Sequence, residues 1–231
     1  FNSPFLSSPL EYFLIDGIEI KEESFTVLCE SLLKLALQMQ EPPTEFEFYT
    51  VAALVYFAEE QCDFAVIEAG MGGRLDATNV LQKTKLCLIT NIGIDHQEYL
   101  GDTLEKIAKE KAGILQPGIP VAVYPSERAA VEQLENAANN LHCPYVCVTS
   151  AHITEDNVST DGTELSEAVA NELPVKCETR SRVMQYRTAN GKKYRVSLPT
   201  EAEFQLKNCA LVLEGIELLK KQGIMIPEEA V

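Results

Sequence analysis

The segment "LCLITNIGIDHQEYLGDTLEKIAKEKAGILQPGIPVAVYPSERAAVEQLENAANNLHCPYVCV", residues 86–148, decides the fold class. It holds three short apolar runs, at residues 86–90, 120–124 and 145–148, each too short for a helix. Two helical patterns separate them. The first opens at Asp102, with Glu105 three residues on as a capping box. It places Leu104, Ile107, Ala108 and Lys111 at i, i+3, i+4 and i+7. The second opens at Ser126 and sets Ala130, Leu134, Ala137, Ala138 and Leu141 at helical spacing. Near-continuously apolar strands alternating with helices indicate a parallel α/β sheet covered on both faces.

The pattern extends outward from there. Residues 64–67, Phe64-Ala65-Val66-Ile67, read as a further core strand. Residues 24–39 carry Phe25, Leu28, Cys29, Leu32, Leu33 and Ala36 on one helical stripe, with Ser24 placed to cap it. Pro42-Pro43 breaks the chain, and a second helix runs from about Glu45 to Gln61. Residues 151–182 are polar and poorly periodic. "VMQYRTANGKKYRVSL", residues 183–198, reads as a hairpin turning at Asn190-Gly191. Thr200 and Glu203 form a second capping box before a helix running through Leu219. The expected architecture is one α/β domain over 1–231, a mostly parallel sheet flanked by helices. An irregular segment and a β-hairpin extension occupy 151–200.

Composition narrows the function classes. Thirty-five acidic against 19 basic residues give a net charge of −16, which argues against nucleic-acid binding. A small anionic ligand held by a few local donors remains compatible with it. The longest apolar runs fall far short of a membrane span, and no signal peptide opens the chain. Seven cysteines without a CxxC pair read as reduced, core-filling thiols of a cytoplasmic protein. The chain starts at Phe1, which suggests a piece of a longer polypeptide.

Ligands of open parallel sheets sit at the carboxyl ends of the strands, and three features are expected there. Glu68 ends the run at 64–67, Asp95-His96 follow the run at 86–90, and Lys111 continues the buried stripe of its helix. Each has a plain structural reading. Glu68 can accept loop amides, His96 can be an ordinary loop histidine, and Lys111 can reach the helix end. Together they suggest a cation site for a polyanion, with oxygen-rich ligation favouring Mg²⁺. In the loop that follows Glu68, Gly70, Gly72 and Gly73 allow close backbone approach. Arg74 can grip a carboxylate or phosphate, and Asp76, Thr78 and Asn79 add hydrogen-bond capacity. The same loop can equally be a glycine turn with a structural Arg–Asp pair.

"EAGMGGRLDATNV" (residues 68–80), "TNIGIDHQEYLGDTLEKIAKEKAGIL" (90–115) and "FQLKNCALVLEGIELL" (204–219) closely resemble segments of the folylpolyglutamate synthases and bifunctional dihydrofolate synthases of the Mur ligase superfamily. The resemblance implies an ATP-dependent ligase that adds L-glutamate to folate or dihydropteroate through an acyl phosphate. It implies Glu68 and His96 as Mg²⁺ ligands and Lys111 as a lysine that becomes carbamylated and joins them. It places Arg74, Asp76 and Thr78 on the substrate side, and Asn79 and Asn208 near the nucleotide. It also implies a central portion without the family's P-loop unit and C-terminal domain, inactive by itself.

The chain departs from the family pattern in several places. Phe5 stands for a usual histidine, Tyr12 and Leu14 for arginines, Phe204 for a histidine, and Ala202 near a usual glycine. These changes remove donors and positive charge. Two other readings therefore accompany the enzyme: a non-catalytic homologue acting as a binding or scaffold module, and a Mur-type ligase for another carboxylate.

Overall fold

The computed structural model describes residues 1–94, 97–156 and 181–231. The chain divides into two compact units, Phe1–Lys83 with Glu110–Ile114, and Thr84–Lys109 with Leu115–Val231.

In the first unit, β1 (Leu14–Ile15) and β2 (Ile18–Glu19) form a minimal antiparallel hairpin. Its two loop residues, Asp16 and Gly17, both have positive φ, 51° and 78°, as a tight two-residue turn requires. Helices α1 (Glu22–Ala36) and α2 (Glu45–Glu59) follow. The stripe expected on α1 is present: Leu28 and Ala36 are buried, and Phe25 and Leu32 pack against the same cluster. Leu33 departs from it and is exposed. The helix begins ahead of Ser24, with Lys21 at the N-cap and no side-chain cap. Glu22 and Glu23 in the first turn supply the favourable charge instead. On α2 a capping box does form. Thr44 Oγ1 accepts from the Glu47 amide at 3.3 Å, and Glu47 accepts from the Thr44 amide at 2.8 Å.

Aromatic rings fill the core of this unit. Phe13 is fully buried and meets Phe25 edge-on at 5.4 Å. Tyr12 packs on Phe1, Phe5 and Tyr49. Two of the departures noted above, Phe5 and Tyr12, thus serve as packing residues.

Residues 64–67 form no strand. The Phe1 amino group donates to the Val66 carbonyl at 2.9 Å and the Glu68 amide to the Phe1 carbonyl at 3.0 Å. This ladder is one residue long, below what a strand requires. Ile67 packs on the aromatic cluster, while Phe64 and Val66 are exposed.

The second unit contains the parallel sheet. Strand β3 (Cys87–Ile89) is followed by α3 (Gln97–Leu100), α4 (Leu104–Lys111, whose last two residues fall in the first unit), β4 (Val121–Val123), α5 (Arg128–Asn140) and β5 (Tyr145–Cys147). The strand order is β3-β4-β5, all parallel, with Cys87 opposite Val121 and Val121 opposite Tyr145. Residues 151–156 hold β6 (Ile153–Asp156), a strand that their polarity conceals. It pairs antiparallel with β7 (Arg182–Arg187), which pairs with β8 (Lys193–Leu198) in the expected hairpin. Helix α6 (Phe204–Lys221) closes the unit.

Alternation along β4 shows why its sequence is apolar throughout. Ala122 joins the cluster of Leu86, Leu88, Val146 and α6, while Val121 and Val123 are buried as well. Gly215 lets α6 approach the sheet, since a Cβ there would lie 2.9 Å from Leu86 and 3.0 Å from Leu88. Helix α5 buries Ala130, Leu134 and Ala138. Cys29, Cys62, Cys143, Cys147 and Cys209 are free thiols, and burial pushes the Cys87 thiol up to about 11. No helix among the described residues is long and apolar enough to cross a membrane.

Three expected caps of the second unit are displaced. Helix α4 starts at Leu104, with the Lys106 amide donating to Thr103 Oγ1 at 3.3 Å, while Asp102 pairs with the Lys106 ammonium. Ser126 accepts from the Ile92 amide at 3.0 Å and does not cap α5. Thr200 accepts from the Ala202 amide, four residues ahead of α6. The hairpin turns at Asn190-Gly191 as expected, but through a three-residue loop. Thr188 and Lys192 close it, and Gly191 sits at φ 89°.

Two buried carboxylates of α6 anchor that turn. Glu214 accepts from the Tyr186 hydroxyl at 2.7 Å and the Ala189 amide at 2.8 Å. Glu217 accepts from Tyr194 and Asn190. Burial pushes the Glu217 carboxyl up, but the hydrogen bonds from Tyr194 and Asn190 together with the Lys192 and Lys220 ammonium groups hold it below its ordinary value. Glu214→Ala should therefore cost about 1–3 kcal/mol for each buried donor left unpaired, read by urea denaturation. Because the Glu217 value is depressed, its contribution is present above the ordinary carboxylate value of about 4.3. It is lost as pH falls through the folded-state value. Glu217→Gln should flatten that part of the stability–pH curve, and an unchanged curve would contradict the assignment.

Candidate functional site

The loop at residues 70–79 is fastened at both ends and along its length. Gly70 lies over the Phe46 ring, where a Cβ would come within 2.5 Å. At Gly73 a Cβ would lie 2.8 Å from the Glu110 carbonyl oxygen and 2.9 Å from that of Lys111, so only glycine permits this approach. The Arg74 amide donates to the Glu110 carbonyl at 2.9 Å. Gly113 completes the contact, since a Cβ there would lie 2.3 Å from Arg74 Cβ. The loop therefore rests on the end of α4 and the turn after it, residues Glu110–Ile114. Its amide satisfies one of the carbonyls that a helix end leaves unpaired.

The polar side chains of the loop hold its shape. Asp76 Oδ2 accepts from the Met71 amide at 2.7 Å, and Oδ1 accepts from the Thr78 amide at 2.9 Å and its hydroxyl at 2.6 Å. Asn79 Nδ2 donates to the Arg74 carbonyl at 3.2 Å and the Gly113 carbonyl at 3.1 Å. Arg74 Nε donates to Glu110 Oε2 at 3.2 Å and Oε1 at 3.3 Å. The ion pair the sequence allows within the loop is thus made to Glu110 and not to Asp76. The Arg74 side chain is 56% exposed.

The other expected residues are placed as follows. Glu68 is exposed, and its Oε2 accepts from the Ser3 amide at 3.0 Å. Lys111 ends α4, half-buried, on the face of the fully buried Ile107 and Ala108. Among the described residues no carboxylate pairs with its ammonium. His96, with Asp95, lies outside the described residues. Asn208 belongs to the second unit, on α6, where its Nδ2 donates to Gln205 Oε1 at 3.0 Å.

Among the described residues no three His, Cys, Asp or Glu side chains cluster as a cation site. The donor chemistry that remains is compatible with a hard cation. Glu68 offers carboxylate oxygens at the surface, and one of them, Oε2, takes a single amide. Lys111 as an ammonium would repel a cation, whereas its carbamate would add oxygens.

A family model described as the Mur ligase middle domain matches residues 22–214. This chain belongs to that Mur ligase family. The chain is 39% identical over 214 residues to a folylpolyglutamate synthase of Arabidopsis thaliana, covering 90% of this chain and 34% of that protein. Over 150 residues it is 39% identical to a dihydrofolate synthase/folylpolyglutamate synthase of Bacillus subtilis, covering 63% and 35%. A structure described as an FPGS–AMPPCP–folate complex superposes with a TM-score of 0.79 at 26% identity, over 96% of this chain and 51% of that one. The Mur ligase chain thus spans about a third of the two curated relatives and half of the solved structure. The family resemblance is borne out.

Sequence reasoning missed Glu110 and Gly113. A helix-ending glycine after Ala112 is a weak local signal for the second. Nothing local marks Glu110, which meets Arg74 from 36 positions away. Asp76→Ala removes three hydrogen bonds at once, so amides in residues 70–79 of this Mur ligase chain should exchange with solvent at least tenfold faster, given about 1.5–3 kcal/mol per charged bond. Hydrogen-exchange mass spectrometry of that peptide reads this, and unchanged exchange would show that Asp76 does not hold the loop.

Proposed function

We propose that the chain is the middle domain of an ATP-dependent ligase that adds L-glutamate to folate or dihydropteroate. The observation that carries the reading is the 39% identity to a folylpolyglutamate synthase over 90% of the chain. The family match runs through both compact units, which supports treating residues 1–231 as part of one domain. The solved relative named as an AMPPCP–folate complex supports an adenine nucleotide and a folate as ligands.

The reaction follows from the substrates. A carboxylate oxygen of the folate-type substrate attacks the γ-phosphorus of ATP, and ADP leaves. The amino nitrogen of glutamate then attacks the acyl carbon, loses a proton and expels phosphate, leaving an amide. Positioned positive charge lowers both barriers. Mg²⁺, held by Glu68, His96 and carbamylated Lys111, would neutralise charge on the transferring phosphoryl group. Arg74 presents its exposed guanidinium to a substrate anion. Asp76 and Thr78 keep the loop in shape around the substrate, and Asn79 and Asn208 serve the nucleotide side. The free thiols fit a cytoplasmic enzyme.

Within the full-length protein, Lys111→Ala should abolish glutamate ligation, and a short carboxylate added to the assay should restore part of it. Ligation is followed by ADP release and by the mass of the product. Wild-type rates in Lys111→Ala would make this lysine structural, and a full-length wild-type protein that forms no glutamate amide would remove the ligase reading itself.

A further inference from the structure

The pair formed by Arg74 and Glu110 has geometry beyond a surface ion pair. Exposed pairs hold little energy and wander, but this one is framed by backbone on both sides. The same two residues are joined by the Arg74 amide and the Glu110 carbonyl at 2.9 Å. Gly73 and Gly113 lack the side chains that would hold the two segments apart. Asn79 spans from the Arg74 carbonyl to the Gly113 carbonyl. Glu110 is the better buried partner, its side chain 26% exposed against 56% for Arg74. Its two oxygens engage Nε, the inner nitrogen of the guanidinium. A carboxylate on Nε fixes the plane of the group and leaves the outer nitrogens for another anion.

We infer that Glu110 is a positioning residue: it orients the Arg74 guanidinium and ties the 70–79 loop to the chain that carries Lys111. This rests on the ligase reading for what the loop faces, and on geometry alone for the tie. Lys111 is the next residue after Glu110, so the loop and the lysine are held as one body. Arg74 then acts on an anionic substrate only as well as Glu110 aims it. Removing either residue should have the same consequence, and removing both should add nothing further.

The test uses the full-length protein with Glu110→Ala, Glu110→Gln, Arg74→Ala and the double alanine variant. Glu110→Ala and Arg74→Ala should each raise KM for the folate-type carboxylate about tenfold or more, as expected for a misaimed binding group. KM for ATP should stay unchanged, and the double variant should match the singles. Glu110→Gln keeps an acceptor for Nε and should recover part of the loss. Hydrogen exchange in residues 70–79 should quicken in Glu110→Ala whether or not the protein ligates glutamate. Wild-type KM in Glu110→Ala, additive losses in the double variant, or unaltered loop exchange would each overturn the inference. A wild-type protein without ligase activity, with loop exchange still dependent on Glu110, would instead remove the ligase reading and keep the tie.

Discussion

The Arg74 amide donates to the Glu110 carbonyl at 2.9 Å, and the bond forms only because Gly73 carries no side chain there. Much of the first unit's chemistry depends on that approach. It supplies a partner to a helix-end carbonyl that would otherwise need water. It places Arg74 within reach of the Glu110 carboxylate, and it positions Asn79 to bridge to Gly113. Asp76 then closes the loop on itself through Met71 and Thr78. The glycine-rich segment is therefore a docked loop, with the Met71, Arg74, Asp76, Thr78 and Asn79 amides engaged with protein.

The second unit was legible because its signals are local. A buried parallel strand must be apolar on both faces, and residues 87–89, 121–123 and 145–147 are. Helix α5 was readable from its spacing for the same reason. The run at 64–67 has the same composition but not the same structure. A strand is a statement about partners, and this run pairs with a single residue, Phe1. Strand β6 shows the converse, since a polar stretch becomes a strand when β7 offers it a ladder. Caps went astray where several candidates stand side by side. Asp102 and Thr103 both suit the start of α4, and the Asp102–Lys106 ion pair leaves Thr103 as the cap.

The candidate site was legible in its motif and not in its wiring. Glycines, arginine and carboxylates in the 68–80 motif pointed to a ligand loop. Nothing in the sequence said that Asp76, Thr78 and Asn79 would shape the loop, or that Arg74 would meet Glu110 from 36 positions away. Contacts at that separation are set by tertiary packing, which a local pattern does not encode. The departures at Phe5 and Tyr12 find their reason in the same way, as rings of the aromatic cluster.

Under the proposed ligase function, the 70–79 loop and Glu110–Ile114 act as one substrate-facing body. Hydrogen exchange on the full-length protein, with and without an ATP analogue and a folate, tests it most directly. The ligands should protect both segments together, because one is docked on the other. Protection confined to other parts of the chain, with both segments exchanging as in the free protein, would contradict it.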